Sequence, residues 1–163
     1  RNVVPNVAIT TDVIVGFPNE TDDDFDNTVE FINKIKFSKL HVFPYSKRNG
    51  TKAALMENQV DERIKKQRAH ILLNLSKYLE HEYYSKFEGE TLEVLFETNK
   101  NGKYQGHTEN YLEVEVSSDV DIRNEMHSVR IEKVIDNKCE GKIIEKITHK
   151  SFFIKNPLLT GIF

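Results

Sequence analysis

Ile9-Thr10-Thr11-Asp12-Val13-Ile14-Val15-Gly16-Phe17-Pro18-Asn19-Glu20-Thr21 is an apolar, β-branched run that stops at glycine and proline and opens directly into an acidic segment. It reads as strand, loop, helix. Side chains that are largely apolar on both faces predict a parallel strand over 9–15 covered on both sides. Gly16 and Pro18 end it. Thr21 stands at a helix N-cap, Asp24 three residues on completes a capping box, and Asp22 and Asp23 suit the positive end of the helix dipole. A helix N-terminus therefore accounts for the Asp22-Asp23-Asp24 run without a metal. From Asp22 to Lys36, Phe25, Val29, Ile32 and Ile35 recur at helical spacing, with Lys34 and Lys36 in the last turn. Loops at the carboxyl ends of strands carry the ligand sites of α/β proteins, so the functional reading centres on Gly16 to Thr21.

Lys39-Leu40-His41-Val42-Phe43-Pro44-Tyr45 predicts a second strand, after a crossover of the length a right-handed parallel βαβ unit uses. The polar loop Ser46-Lys47-Arg48-Asn49-Gly50-Thr51 lies at its carboxyl end. By period-two alternation Asp12, Ile14 and Gly16 share one face of the first strand, and His41, Phe43 and Tyr45 one face of the second. Asp12 and His41 are candidates for a hydrogen-bonded polar pair. Two parallel strands do not close a sheet, so their inward faces are expected to lie open, and residues 1–87 read as the end of a larger α/β structure.

A long helix is predicted over Val60 to Phe87, with Ile64, Arg68, Ile71, Leu72, Leu75, Leu79 and Tyr83 on one stripe. Lys65, Lys66, Arg68 and Lys77 are expected to face solvent, Arg68 by snorkelling from the stripe. Gly89 marks a boundary. Beyond it the period changes to two in Leu92/Val94/Phe96 and Leu112/Val114/Val116, with further strands at 128–135 and 141–147 and an Asn101-Gly102 hairpin turn between the first pair. This pattern predicts a small antiparallel barrel of the OB type over 88–149. The remainder, 150–163, is an unassigned apolar tail.

The 163 residues are 38% hydrophobic and 30% charged, with a net charge of -3. No apolar run approaches the roughly 20 residues that span a bilayer, and no secretion signal opens the chain, which reads as cytoplasmic with no membrane partner. The single cysteine, Cys139, excludes an internal disulfide, and no Cys/His spacing suits zinc or an iron-sulfur cluster. Residues 90–163 carry 10 Lys+Arg against 13 Asp+Glu, so any nucleic-acid surface must be a local stripe.

The stretch Thr11 to Thr21, followed by His41-Val42-Phe43-Pro44-Tyr45-Ser46-Lys47-Arg48-Asn49-Gly50-Thr51-Lys52-Ala53, resembles the C-terminal part of the radical SAM methylthiotransferases. The similarity covers roughly residues 1–147, and Gly89 to Ile147 resembles the TRAM RNA-binding domain. Within the family the resemblance is to the branch that adds a methylthio group to threonylcarbamoyladenosine beside the tRNA anticodon; other branches act on isopentenyladenosine and on a ribosomal protein. Three departures stand out. The Cys-x-x-x-Cys-x-x-Cys motif and the cysteine-bearing N-terminal domain are absent, Asn19 stands where the family usually has glycine, and the tail from Ser151 matches nothing in it.

The resemblance implies an α/β part followed by an all-β part: the last two strand-helix units of a partial TIM-type radical SAM barrel, then a TRAM barrel. It implies S-adenosylmethionine and two 4Fe-4S clusters in the parent enzyme, none bound by this chain, with tRNA and the missing N-terminal part of the same enzyme as partners and no DNA. Read from the residues alone, Ile14 is ordinary core and Gly16 an ordinary strand-end glycine; the resemblance implies that Ile14 packs on adenine and Gly16 admits the nucleoside to the backbone. Phe43 and Tyr45 are either core or walls of that pocket. Ser46 and Arg48 are candidate substrate ligands, Arg48 for the threonylcarbamoyl carboxylate. Lys103, Tyr104, His107, Asn110 and Tyr111 are candidate RNA contacts, and Arg130, Lys133 and Lys142 candidate phosphate contacts. The rival readings are a non-catalytic RNA-binding module and a methylthiotransferase of one of the other two branches.

Overall fold

The computed structural model describes residues 2–147; the expected apolar tail at 150–163 lies outside them. The chain divides into one compact unit ending at Tyr83 and another beginning at Tyr84.

In the first unit, β1 (Thr10–Val15) and β2 (Lys39–Pro44) form a two-stranded parallel sheet joined by α1 (Asp22–Ile35). The start of α1 is a complete capping box: Thr21 Oγ1 accepts from the Asp24 N–H and the Asp24 carboxylate accepts from the Thr21 N–H. Its end is set by Lys36, which adopts a left-handed conformation and donates its N–H to Ile32 O. A short helix, α2 (Lys52–Leu55), capped by Thr51, precedes α3 (Glu62–Ser85).

The helices cover one face of the sheet. Val15, Phe25, Ile32, Phe37, Leu40, Ala69, Leu72 and Leu79 form the core there, with Val13 and Val42 against it. Ser76 Oγ, buried on α3, accepts the Leu40 N–H at 3.0 Å and ties that helix to β2. The opposite face is open: Ile14 is 56% and Phe43 51% exposed. The open inward face matches the reading of an unclosed sheet. The expectation of a strand covered on both sides is corrected, because the described residues supply helices to one side of β1 only.

The predicted cation placement on the long helix also needs correction. Lys65 and Arg68 are buried, while Ile71, assigned to the apolar stripe, is 40% exposed. The buried line is Lys65, Arg68, Ala69, Leu72, Ser76, Leu79 and Tyr83, which share one helix face because each lies three or four residues from another of the set. Lys65 and Arg68 occupy that face where it meets the end of β1, and Ser76 where it meets β2.

In the second unit, β3 (Thr91–Lys100), β4 (Lys103–Thr108), β5 (Glu113–Ser117), β7 (Lys138–Lys146) and β6 (Glu125–Ile135) close into a barrel in that order, β6 pairing back onto β3. Closure leaves no free edge. Val94, Phe96, Tyr104, Val114, Val116, Val129, Ile131 and Cys139 are buried in it. Two details depart from expectation. The β5–β7 pairing is parallel, so the barrel is not wholly antiparallel, and Asn101-Gly102 joins β3 to β4, a strand absent from the apolar alternation of the sequence. Asn101 and Gly102 have φ of 55° and 80°, the left-handed values a two-residue hairpin requires.

Candidate functional site

At the carboxyl end of β1 the chain leaves the sheet through Gly16, whose φ of +70° suits glycine. The following loop is held by charge. Glu20 Oε2 accepts the Gly16 N–H at 2.8 Å and the Phe17 N–H at 3.4 Å, while Glu20 Oε1 accepts from Arg68 Nη1 at 2.6 Å. The other guanidinium nitrogen, Arg68 Nη2, donates to Asp22 at 2.6 Å. Burial disfavours the Arg68 charge, and the hydrogen bonds it donates to Asp22 and Glu20 more than offset it, so its pKa lies above the ordinary value.

Lys65, one turn earlier on α3, spans the ends of both strands. Its stem lies against Gly16, and its ammonium group sits 5.4 Å from the centroid of the Tyr45 ring and donates to Glu62 at 2.6 Å. Tyr45 packs edge-on against Phe17 at 5.2 Å, and its N–H donates to Val15 O at 2.8 Å. Its hydroxyl is buried without a hydrogen-bond partner.

On the open face Ile14 stands opposite Phe43 and Asp12 opposite His41 in the parallel register. No hydrogen bond joins Asp12 to His41 in the described residues, so the expected polar pair is one of register alone. Ser46 and Arg48 lie on the exposed loop after β2, where Arg48 O accepts from Thr51 Oγ1 at 2.8 Å. Ile14 and Phe43 thus share the open face, whereas Gly16 and Tyr45 lie at the strand ends against Lys65 of α3. Among the described residues no group of three or more His, Cys, Asp or Glu could hold a metal ion.

Sequence reading missed Glu20, Lys65 and Arg68. A signal was present for two of them. Glu20 follows the Gly16-Phe17-Pro18 break at hydrogen-bonding reach, and Arg68 interrupts an otherwise apolar stripe.

In the barrel the candidate RNA contacts separate into groups. Lys103 is bound by Glu115, whose hydrogen bond raises the lysine pKa and is itself the main cause of the lowered pKa of Glu115. His107 Nδ1 lies 2.6 Å from Glu97, and Lys133 pairs with Glu140 at 2.8 Å. Tyr104 is buried inside the barrel, which removes it as an exposed stacking platform: the alternation of β4 turns its side chain inward with Gly106 and Thr108. Asn110 Oδ1 accepts from Thr108 Oγ1 at 2.6 Å. Tyr111 is different. It is 79% exposed at φ 63°, an unfavourable conformation for an aromatic residue, on a loop pinned by Tyr84, whose hydroxyl accepts the Glu113 N–H at 3.1 Å. Arg130 and Lys142 are exposed register partners across β6 and β7, and neither makes an ion pair among the described residues.

No family model matches the chain. Over 152 residues, 90% of its length, it is 43% identical to the threonylcarbamoyladenosine tRNA methylthiotransferase MtaB of Bacillus subtilis, of which it spans 34%. The chain resembles one third of a tRNA methylthiotransferase. It is also 39% identical to a tRNA-2-methylthio-N(6)-dimethylallyladenosine synthase of Acetivibrio thermocellus over 86% of the chain and 30% of that protein. A synthase of the same name from Aquifex aeolicus is 36% identical over 90% of the chain and 33% of its own length. The chain therefore spans about a third of the curated relatives it matches, and the resemblance drawn from the two strand-end motifs holds along most of it.

Proposed function

We propose that this chain is the C-terminal portion of a tRNA methylthiotransferase that modifies N6-threonylcarbamoyladenosine beside the anticodon. The observation that carries the reading is the 43% identity to MtaB across nine-tenths of the chain. In it, residues 1–87 are the last two strand-helix units of a radical SAM barrel, and 88–149 the TRAM-like RNA-binding barrel. S-adenosylmethionine and two 4Fe-4S clusters, held by the rest of the enzyme, supply the radical and the sulfur. This chain supplies the adenosine wall, with Ile14 against the base, Gly16 beside the nucleoside, and Phe43 and Tyr45 lining the pocket. The exposed Ser46 and Arg48 bind the substrate, the Arg48 guanidinium pairing with the threonylcarbamoyl carboxylate.

On the barrel, Tyr111 offers a flat ring to an unstacked base, and Arg130 and Lys142 take phosphates. Their freedom from carboxylate partners supports that assignment. Lys103, His107 and Lys133 contribute less, because each carries a carboxylate partner that must be displaced first.

Mass spectrometry of tRNA nucleosides tests the reading. Disruption of the gene carrying this chain removes the methylthio group from threonylcarbamoyladenosine; loss from isopentenyladenosine, or no loss, overturns the assigned branch or the enzyme. In the same enzyme, Arg130→Gln and Lys142→Gln each weaken tRNA binding and reduce the salt slope by about one, whereas Lys133→Gln changes it little.

A further inference from the structure

Glu20 grips the end of β1 from one side and α3 from the other. One oxygen of its carboxylate accepts the Gly16 and Phe17 amides at 2.8 and 3.4 Å; the other meets Arg68 Nη1 at 2.6 Å, and the same Nη1 reaches the Glu20 carbonyl oxygen at 3.2 Å. The side chains of Arg68 and Glu20 are 6% and 15% exposed, so solvent screens this pairing weakly. Arg68 cannot shift without losing Asp22 as well, and its guanidinium lies 5.3 Å from the Phe25 ring in the core under α1. The backbone at Gly16 is therefore referenced to the packed helices and does not rely on the short loop alone.

That loop borders the open face at Ile14. We propose that Glu20 and Arg68 are positioning residues for an adenosine-bearing ligand: they fix the Gly16 backbone at the height the nucleoside needs, without touching the ligand. A carboxylate with one oxygen on two adjacent amides and the other on a buried guanidinium suits this task, because both oxygens are held and it resists rotation. The inference rests on the assignment of Ile14 and Gly16 made above.

The test has two arms. In the 163-residue chain, Glu20→Ala speeds hydrogen exchange at the Gly16 amide at least tenfold and Glu20→Gln, which keeps an acceptor oxygen, does so less; unchanged exchange overturns the clamp. In the complete enzyme, binding of S-adenosylhomocysteine is measured for wild type, Glu20→Gln and Arg68→Lys, conservative variants chosen to retain the fold. Affinity falls threefold to tenfold in both while kcat at saturating S-adenosylmethionine stays within about twofold. Equal affinity in wild type and variants overturns the positioning role alone, and a wild-type enzyme that does not bind the probe overturns the functional reading beneath it.

Discussion

The aliphatic stem of Lys65 lies directly on Gly16: a Cβ built on that glycine would stand 2.3 Å from Lys65 Cγ, at a φ of +70°. Gly16 is thus required twice, by the turn and by the buried lysine. Gly16→Ala is expected to cost about 2–3 kcal/mol, combining the left-handed penalty with displacement of a packed side chain. Denaturant unfolding of the single variants and of Gly16→Ala with Lys65→Ala measures it. Because the lysine stem is the obstacle, the double variant loses less than the sum of the singles; strict additivity would show that the stem yields freely.

Gly106 on β4 faces a harder obstacle. A Cβ there would meet Leu95 O at 2.2 Å and Phe96 Cα at 2.8 Å, both backbone of the paired strand β3. Gly106→Ala should destabilise the barrel by about 3 kcal/mol, since the ladder itself must move. Gly102→Ala, at φ +80° with open space around it, is expected to cost about 1 kcal/mol. Comparable losses in the two variants, read by thermal or denaturant unfolding, would contradict the packing argument.

Burial pushes the Cys139 thiol up to about 12, and the nearby Glu88 adds to the shift. The thiol is fully inside the barrel and should resist iodoacetamide at pH 8 until the barrel unfolds. Labelling rates across a denaturant series check this; stoichiometric labelling of the folded chain within minutes would be inconsistent with it.

Asp121 carries the clearest acid signature. Hydrogen bonds from the Arg123 side chain and backbone hold its carboxyl down to about 2, from an ordinary 3.8. A carboxylate with a depressed folded-state pKa contributes stability that is fully present above the unfolded pKa. That contribution is lost as pH falls from about 4 through about 2. The carboxyl resonance of Asp121 should titrate with a midpoint near 2, and Asp121→Asn should abolish this share of the acid sensitivity; a midpoint near 3.8 would mean the pair is open in solution.

The local elements were legible because their signals are local. Thr21 and Asp24 form a capping box wherever a helix starts between them, Asn101-Gly102 turns a hairpin by its own backbone preference, and Phe25 and Ile32 repeat at helical period. The resemblance to the methylthiotransferases was legible for a similar reason, since the residues that shape strand-end loops lie close together in the chain. β4 escaped because Gly106 and the polar residues of Lys103–Thr108 break the apolar alternation; its partners on β3 and β5 make it a strand.

What the amino-acid order determined by itself was the order of the main elements, α2 and β4 apart, together with the cap of α1, the hairpin turn and the two strand ends where a site could form. Tertiary structure alone decided the fate of the charges. Arg68 and Glu20 are 48 residues apart in sequence, and nothing near either announces the other. A cation on a helix is ordinarily solvated, and it becomes buried only when distant carboxylates and amides converge on it and replace the lost water. The same rule separated the barrel cations, leaving Arg130 and Lys142 free among the described residues while Lys103 and Lys133 are paired, because cross-strand neighbours are chosen by register and not by proximity along the chain.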